Sequence, residues 1–281
     1  GIQLLWVTPL RALAQDIQKA MLEVCEVIGL PWTIAVRNGD TDAKTRAAMK
    51  RRPPECLITT PETLHILISQ KDHLELFQSL KAIVVDEWHE LVGNKRGVQV
   101  QLALEYIQSI CPNSFRRWAV SATIGNLEQA AKTLLGQNLP IHIVKAKVEK
   151  EIVIHSVYPE EIEKYPWAGH LGIRMLDKVI DIIESGKTVL LFTNTRSQTE
   201  IWYQKILETR PDWAGWIAMH HGSLDMAVRA WVENALHEGI LKLVVCTSSL
   251  DLGVDFRPVD RVIQVGSPKG VSRFVQRAGR A

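Results

Sequence analysis

Apolar positions along this chain fall into two textures that alternate. Short continuous runs rich in β-branched residues stand between longer stretches where apolar residues return every three or four positions. The first texture is that of strands buried on both faces of a parallel sheet; the second is that of amphipathic helices. In the first half, strands are predicted at 4–7, 33–36, 56–59, 83–85 and 118–120. Between them, Leu13, Ile17, Met21, Val24 and Ile28 mark a helix that Gly29 and Pro31 end. A polar helix is predicted over 42–51, broken by Pro53-Pro54. The next starts with Pro61 at its first position, behind a threonine cap from Thr60. Val100, Leu104, Ile107 and Ile110 mark another, after a basic loop Asn94-Lys95-Arg96-Gly97, and a last one over 126–135 ends at Gly136.

The alternation lapses around 141–170. Two isolated β segments, 141–144 and 152–157, flank AKVEKE and lead into PEEIEKYPWAGH, a texture suited to an interdomain linker. It resumes with a helix over 171–185, a strand at 188–192, a helix over 197–209, a strand at 216–219, a helix over 225–238 and strands at 243–246 and 261–265. The expected fold is therefore α/β, with two parallel-sheet domains at 1–145 and 171–281 joined by a linker at 146–170.

The strand ends carry the polar chemistry. Ile83-Val84-Val85 stops at Asp86-Glu87, and ligands of open α/β sheets bind beyond the carboxyl ends of strands. Two adjacent carboxylates there repel each other unless a cation neutralises one. Taken alone, the pair reads more readily as a strand surfacing in polar residues. His89-Glu90 lacks the second histidine of a helical zinc motif. Similar endings recur at Ser121-Ala122-Thr123, at 193–196, at HHGSL (220–224), at 247–249 and at 276–280, which predicts two polar sheet edges facing one cleft. His220-His221 has no third ligand at nearby spacing, so a zinc site is not expected.

Composition narrows the picture further. Net charge is only +2, so any nucleic-acid affinity must come from local clusters. The four cysteines form no CxxC pair and suit a reducing cytoplasm. No apolar run is long enough to span a bilayer, and no membrane partner is expected. Most of the nine tryptophans are read as packing residues.

In order, the chain resembles a superfamily 2 helicase with two RecA-like domains. Thr8 to Leu13 (TPLRAL) is similar to motif Ia and Thr60-Pro61-Glu62 to Ib. Asp86-Glu87-Trp88-His89 is similar to motif II, Ser121-Ala122-Thr123 to III, residues 247–255 to V, and 276–280 to the start of VI. DEWHELVGNKRG, RNGDT, HHGSLD, TSSLDLGVDF and GSPKGVSRFVQRAGR carry a closer resemblance to the Lhr (large helicase-related) group, nearest its bacterial ligase-associated DEXH-box branch.

That resemblance implies ATP and Mg²⁺ as cofactors, with Asp86 serving the metal and Glu87 activating the hydrolytic water. His89 would couple the nucleotide site to the interdomain surface, and Ser121 and Thr123 would relay the closed state; Ser121 alone reads equally as a hydroxyl cap of the following helix. Gly253, Asp255, Gln276 and Arg280 would meet the nucleotide from the second domain. Nucleic acid would lie along Thr8, Arg11, Gly39, Thr60 and Glu62, then Thr195, Arg196, Ser223, Thr247 and Ser248. Lys95-Arg96 could add a phosphate contact or form a surface salt bridge. The implied activity is ATP-driven 3′-to-5′ movement on single-stranded DNA with unwinding of DNA or RNA:DNA duplexes in repair, beside a DNA ligase and a nuclease. The alternatives are an RNA helicase, although motif II here is not D-E-A-D, and a non-catalytic nucleic-acid-binding module.

The family pattern places a Q-motif and a GxxGxGKT loop before motif Ia, and no G-x-x-x-x-G-K-[ST] occurs in these 281 residues. The chain also stops inside motif VI. The expectation is an internal piece of a longer enzyme, weak or inactive toward ATP by itself, with an exposed sheet edge prone to aggregation.

Overall fold

The structure is a computed structural model that describes residues 1–122, 124–136, 140–145, 152–158, 172–251, 259–268 and 270–281, with only the backbone described at Ala12 and Ser272. The chain divides into two units, Gly1–Lys145 and Ala146–Ala281.

In the first unit, the elements are β1 (Leu4–Val7), α1 (Arg11–Val27), β2 (Ile34–Arg37), α2 (Ala43–Arg51), β3 (Cys56–Thr59), α3 (Pro61–Ile68), α4 (His73–Phe77), β4 (Ala82–Val85), α5 (Trp88–Leu91), α6 (Lys95–Ile110), β5 (Arg116–Ala119) and α7 (Leu127–Leu135). The strands form one parallel sheet in the order β2-β3-β1-β4-β5. Side chains alternate across it. Leu5, Val7 and Ile83 pack under α3, α6 and α7, while Leu4 and Trp6 face the opposite side with Ala14 and Ile17 of α1.

The register has a consequence for the polar edge. Val7 pairs with Thr59 and Val85, Thr59 with Arg37, and Val85 with Ala119. All five strands therefore stop level, and Thr8, Asn38, Thr60, Asp86 and Val120 follow in one row. Outermost β5 pairs only with β4 and leaves Trp118 57% exposed.

The second unit contains α8 (Leu176–Glu184), β6 (Val189–Phe192), α9 (Arg196–Thr209), β7 (Ile217–His220), α10 (Met226–Glu238), β8 (Leu243–Cys246), β9 (Arg261–Gln264) and α11 (Val271–Ala278). Its parallel sheet runs β7-β8-β6-β9. Val189, Leu191, Leu243 and Val245 pack with α8 and α9; Leu190, Phe192, Val244 and Cys246 pack with α10. Again the strands end level, so Thr193, His221, Thr247 and Val265 share one edge.

Several local expectations change. Lys95, Arg96 and Gly97 are not loop but the first turn of α6. Asn94 accepts from the backbone N–H of Arg96 and of Gly97 (2.9 and 3.1 Å), and that cap starts the helix earlier than its apolar spacing indicated. Thr60 stands at the N-cap of α3 but makes no cap bond; its hydroxyl donates to Thr63 Oγ1 at 3.2 Å. The helix predicted from 171 begins as a 3₁₀ turn at Ile173–Met175. The described residues of 141–144 and 152–157 pair with no strand, and Val144 is almost fully exposed. Among the described residues, no helix is long and apolar enough to cross a membrane. Trp88, Trp202 and Trp213 are buried, whereas Trp118, Trp216 and Trp231 are more than half exposed.

One backbone contact fixes the segment after motif II. A Cβ on Gly97 would sit 2.1 Å from the Leu91 carbonyl oxygen, which cannot swing aside as a side chain could. Gly97→Ala should therefore cost about 2 kcal/mol by overpacking, with a lower urea midpoint in the same protein. A midpoint equal to wild type would show that the α5–α6 corner yields freely.

Candidate functional site

Asp86 follows β4 and is 7% exposed. Its backbone N–H donates to Val7 O at 2.8 Å, which ties it to the central strand. One carboxylate oxygen accepts from the Glu87 backbone N–H at 2.9 Å, the other from the Trp6 indole at 3.4 Å. Burial pushes its carboxyl above the usual range, against the lowering effect of those two donors. An acid so placed gains most from a cation beside it.

Glu87 has φ 48° and ψ 44°, the only described non-glycine residue with positive φ. A left-handed glutamate costs roughly 1–2 kcal/mol, so the surrounding contacts must hold it. The Trp88 N–H donates to Val120 O at 3.0 Å, and the buried Trp88 ring donates through Nε1 to Ala130 O at 2.9 Å. Trp88 thus packs rather than presents a stacking face. The sharp turn it anchors projects Glu87 from the strand end, a known setting for stored strain at functional sites.

His89 joins this acid pair to β5. Its Nδ1 accepts from the Ala122 backbone N–H at 3.2 Å and lies 3.3 Å from Ser121 Oγ and 3.4 Å from Glu87 Oε2. An Nδ1 that accepts a backbone N–H carries no proton, so the neutral ring holds its proton on Nε2. Among the described residues that buried Nε2 has no hydrogen-bond partner, and the Glu90 carboxylate stands 4.0 Å away. Ser121 does not cap α7, a role taken by Asn126, and donates instead to Ala122 O at 3.0 Å. Asp86, Glu87, His89 and Ser121 therefore form one cluster. Thr123 lies outside the described residues, as do Gly253 and Asp255.

The nucleic-acid candidates of the first unit occupy the same row of strand ends. Thr8 is fully buried, and its Oγ1 has no partner among the described residues. Thr60 is buried beside Thr63, while Arg11 is exposed, pairs with Asp40 and lies against Gly39, where a Cβ would meet its guanidinium at 2.8 Å. Glu62 is bound to Arg96, whose Nε reaches Oε1 at 2.6 Å and whose Nη2 reaches Pro9 O at 2.7 Å. Of the two readings of Lys95-Arg96, the structure forms the salt bridge at Arg96. The arginine staples the Thr8-Pro9 turn to α3, a role that spacing alone did not reveal.

In the second unit, Thr195 caps α9 by accepting the Gln198 N–H at 3.2 Å, and Arg196 pairs with Glu200 at 2.7 Å. His221 stands 3.6 Å from the same Glu200, and its Nδ1 accepts the N–H of exposed Ser223. Thr247 caps the 3₁₀ turn Ser248–Leu250; Ser248 is exposed. His220 is committed to Ser249 Oγ at 2.7 Å and Glu233 at 3.0 Å.

The residues that sequence reasoning passed over are Asp251, Arg273 and Arg277. Asp251 is 3% exposed and accepts from Arg277 through both oxygens (2.6 and 3.0 Å), with Arg273 at 3.2 Å. Arg277 also donates to Gln264 Oε1 and stacks over Phe192 at 4.5 Å. Arg280 Nη2 donates to the Asp251 carbonyl at 3.0 Å, and the nearby Gln276 Oε1 is buried without a partner. The available signal was the spacing of Arg273 and Arg277, which places two cations one turn apart on α11.

Burial is the main cause that lowers His89 from its ordinary 6.5, with the Glu90 and Asp86 charges opposing it. The unfolded chain takes up this proton near pH 6.5 and the folded chain only lower. Its stabilisation is thus complete above 6.5 and lost as pH falls through the folded value. Burial gives His221 the same sign; Asp86, raised, stabilises the fold only toward acid pH. Urea midpoints should therefore fall below pH 6.5 in wild type and less steeply in His89→Gln. Identical slopes would contradict a neutral buried His89.

Residues 1–130 match the family model for DEAD/DEAH box helicases, and residues 173–281 match that of the helicase conserved C-terminal domain. An ATP-dependent helicase Lhr-Core of Methanocaldococcus jannaschii is 38% identical across this whole chain, which covers 34% of that relative. One of Saccharolobus solfataricus is 35% identical over 99% of the chain and 33% of its own length. The structure of Mycobacterium smegmatis helicase Lhr bound to ssDNA and AMP-PNP superposes with a TM-score of 0.81 at 33% identity, over all of this chain and 38% of that one. The chain spans about a third of the length of these relatives. With both models matching in order and Lhr proteins aligned from end to end of it, the chain belongs to the Lhr-type helicases of superfamily 2.

Proposed function

We propose that the full-length protein hydrolyses ATP to move 3′-to-5′ along single-stranded DNA, unwinding DNA or RNA:DNA duplexes during repair. The observation that carries this is the cluster at the end of β4. A buried acid stands next to a strained, projecting glutamate, and a neutral histidine links both to the end of β5. Level strand ends, with Arg11 and Gly39 exposed beside them, support a row along which a strand's phosphates would lie. The neighbouring structure bound to ssDNA and AMP-PNP supports the same pairing of ligands.

In this reading Asp86 would hold Mg²⁺, and its donor chemistry fits: a carboxylate raised by burial is the group a hard cation would return to the charged form. When bound, Mg²⁺ neutralises charge on the phosphates. Glu87 orients and deprotonates the attacking water. His89 accepts from the Ala122 backbone N–H and so ties the turn that carries Glu87 to the end of β5 beside Ser121. In the second unit, Gly253, Asp255, Gln276 and Arg280 act toward the nucleotide, and Asp251 fixes Arg280 through its carbonyl. Thr123 shares the coupling role of Ser121. Thr8, Arg11, Gly39 and Thr60, then Thr195, Arg196, Ser223, Thr247 and Ser248, contact the strand, while Glu62 holds Arg96. Resemblance to the ligase-associated branch supports a DNA ligase and a nuclease as partners, and a cytoplasmic setting follows from that role.

Two measurements test this. In the full-length protein, Glu87→Gln should lower ATP turnover by at least about a hundredfold while nucleotide binding persists; turnover within about threefold of wild type would remove Glu87 from the chemistry. Strand-displacement assays on tailed DNA, RNA and hybrid duplexes should show activity only with a 3′ DNA tail on the translocated strand. Preference for an RNA track would support the RNA-helicase alternative instead.

A further inference from the structure

Arg37 closes β2 and is 8% exposed, yet among the described residues nothing hydrogen-bonds its guanidinium. Its backbone is fully used: the carbonyl accepts from Thr59 Oγ1 at 2.8 Å. Its Nε is buried without a partner. The side chain borders a surface cavity of about 560 Å³ whose wall also carries Arg46, Lys50, Lys71, Ser69 and Asp72. Arg37 also lines a smaller cavity of about 240 Å³, together with Lys50, Arg51, Asp72 and Glu75.

Charge in the larger cavity does not balance. Asp72 is its one acid, and its Oδ2 is engaged by Lys50 at 3.2 Å. Arg37, Arg46 and Lys71 are left without a carboxylate from the cavity wall. Burial, followed by the Arg46 charge, holds the Arg37 guanidinium below its ordinary pKa, with Asp72 opposing. Asp72 Oδ1 is also unpartnered among the described residues, but its carboxylate, already engaged by Lys50, is the single negative charge set against Arg37, Arg46, Lys50 and Lys71. A buried cation whose neighbouring acid is already shared with a lysine gains from a ligand that brings further negative charge.

We propose that this cavity, between α2 and the turn after α3, is a binding site for a phosphate group, with Arg37 at its floor and Arg46 and Lys71 at its rim. The lining has no aromatic side chain, so bases have nothing to stack on, and a phosphate offers acceptors to several cations at once. Ser69, at the C-terminal end of α3, stands roughly 12 Å along the helix from Thr60, while Arg37 immediately precedes Asn38 in the row of strand ends. That distance suits a further phosphate of a nucleic-acid strand engaged at Thr60; inorganic phosphate has the same chemistry. The choice between these sources rests on the nucleic-acid reading above, whereas the site itself does not.

The test uses the full-length protein. Thermal unfolding is followed with inorganic phosphate or chloride at equal ionic strength, for wild type, Arg37→Met and the surface variant Arg46→Gln/Lys71→Gln. Wild type should gain stability in phosphate, and both variants should lose that gain. The surface double variant keeps the test decisive if Arg37→Met does not fold. Anisotropy of a labelled oligo(dT) against salt then identifies the source. The double variant should bind several-fold more weakly, with a salt slope smaller by about 1–2. A smaller slope supports the nucleic-acid source; loss of the phosphate gain with an unchanged slope supports the site with free phosphate as its ligand. An equal phosphate gain in all three proteins would overturn the site. Absence of ATP hydrolysis in the wild-type protein would refute the motor reading and leave the phosphate titration standing.

Discussion

Parallel pairing in level register is the constraint from which the rest follows. Once Val7 lies opposite Thr59 and Val85, the residues just after each strand must emerge at one edge, whatever their sequence separation. Apolar side chains on both faces of the sheet drive that pairing. Polar groups placed immediately after each run are thereby collected without any further device. The second unit repeats the solution with Thr193, His221 and Thr247.

The collected groups are expensive to bury, and the two units offset that cost differently. At Asp86 the donors are a backbone N–H and an indole, leaving a carboxylate that remains poorly compensated and therefore receptive to a cation. At Asp251 the compensation is complete within the protein, through a bidentate Arg277 and a flanking Arg273. Removing one partner from such a buried pair leaves an uncompensated charge and costs about 3–5 kcal/mol. One acid is thus poised for a ligand, and the other is a structural clasp that also fixes the end of α11.

Strain and satisfaction are likewise divided in the first unit. Glu87 occupies a left-handed conformation because Trp88 is anchored twice, by its backbone to Val120 and by its ring to Ala130. Arg96 performs a comparable service for the Thr8-Pro9 turn. The glutamate proposed for the chemistry and the threonine proposed to meet the strand are both held by residues with no direct part in either.

Element identity and order were legible in the chain because burial imposes its own periodicities, two for strands and 3.6 for helices. The acid pair was legible only within the ordered series of polar strand ends, since by itself it read more readily as a strand surfacing in polar residues. What spacing could not convey was which polar side chain satisfies which. Asn94 converted an expected loop into a helical turn, Thr60 bonded a side chain where a cap was expected, and Arg37 was buried without a partner. Those outcomes depend on distances between residues far apart in sequence, such as Arg96 to Pro9 or Arg277 to Asp251. Sequence by itself determined the sheets, their polar edges and the family; tertiary structure alone decided the pairing of charges, because electrostatic compensation is set by separation in space and by exclusion of water.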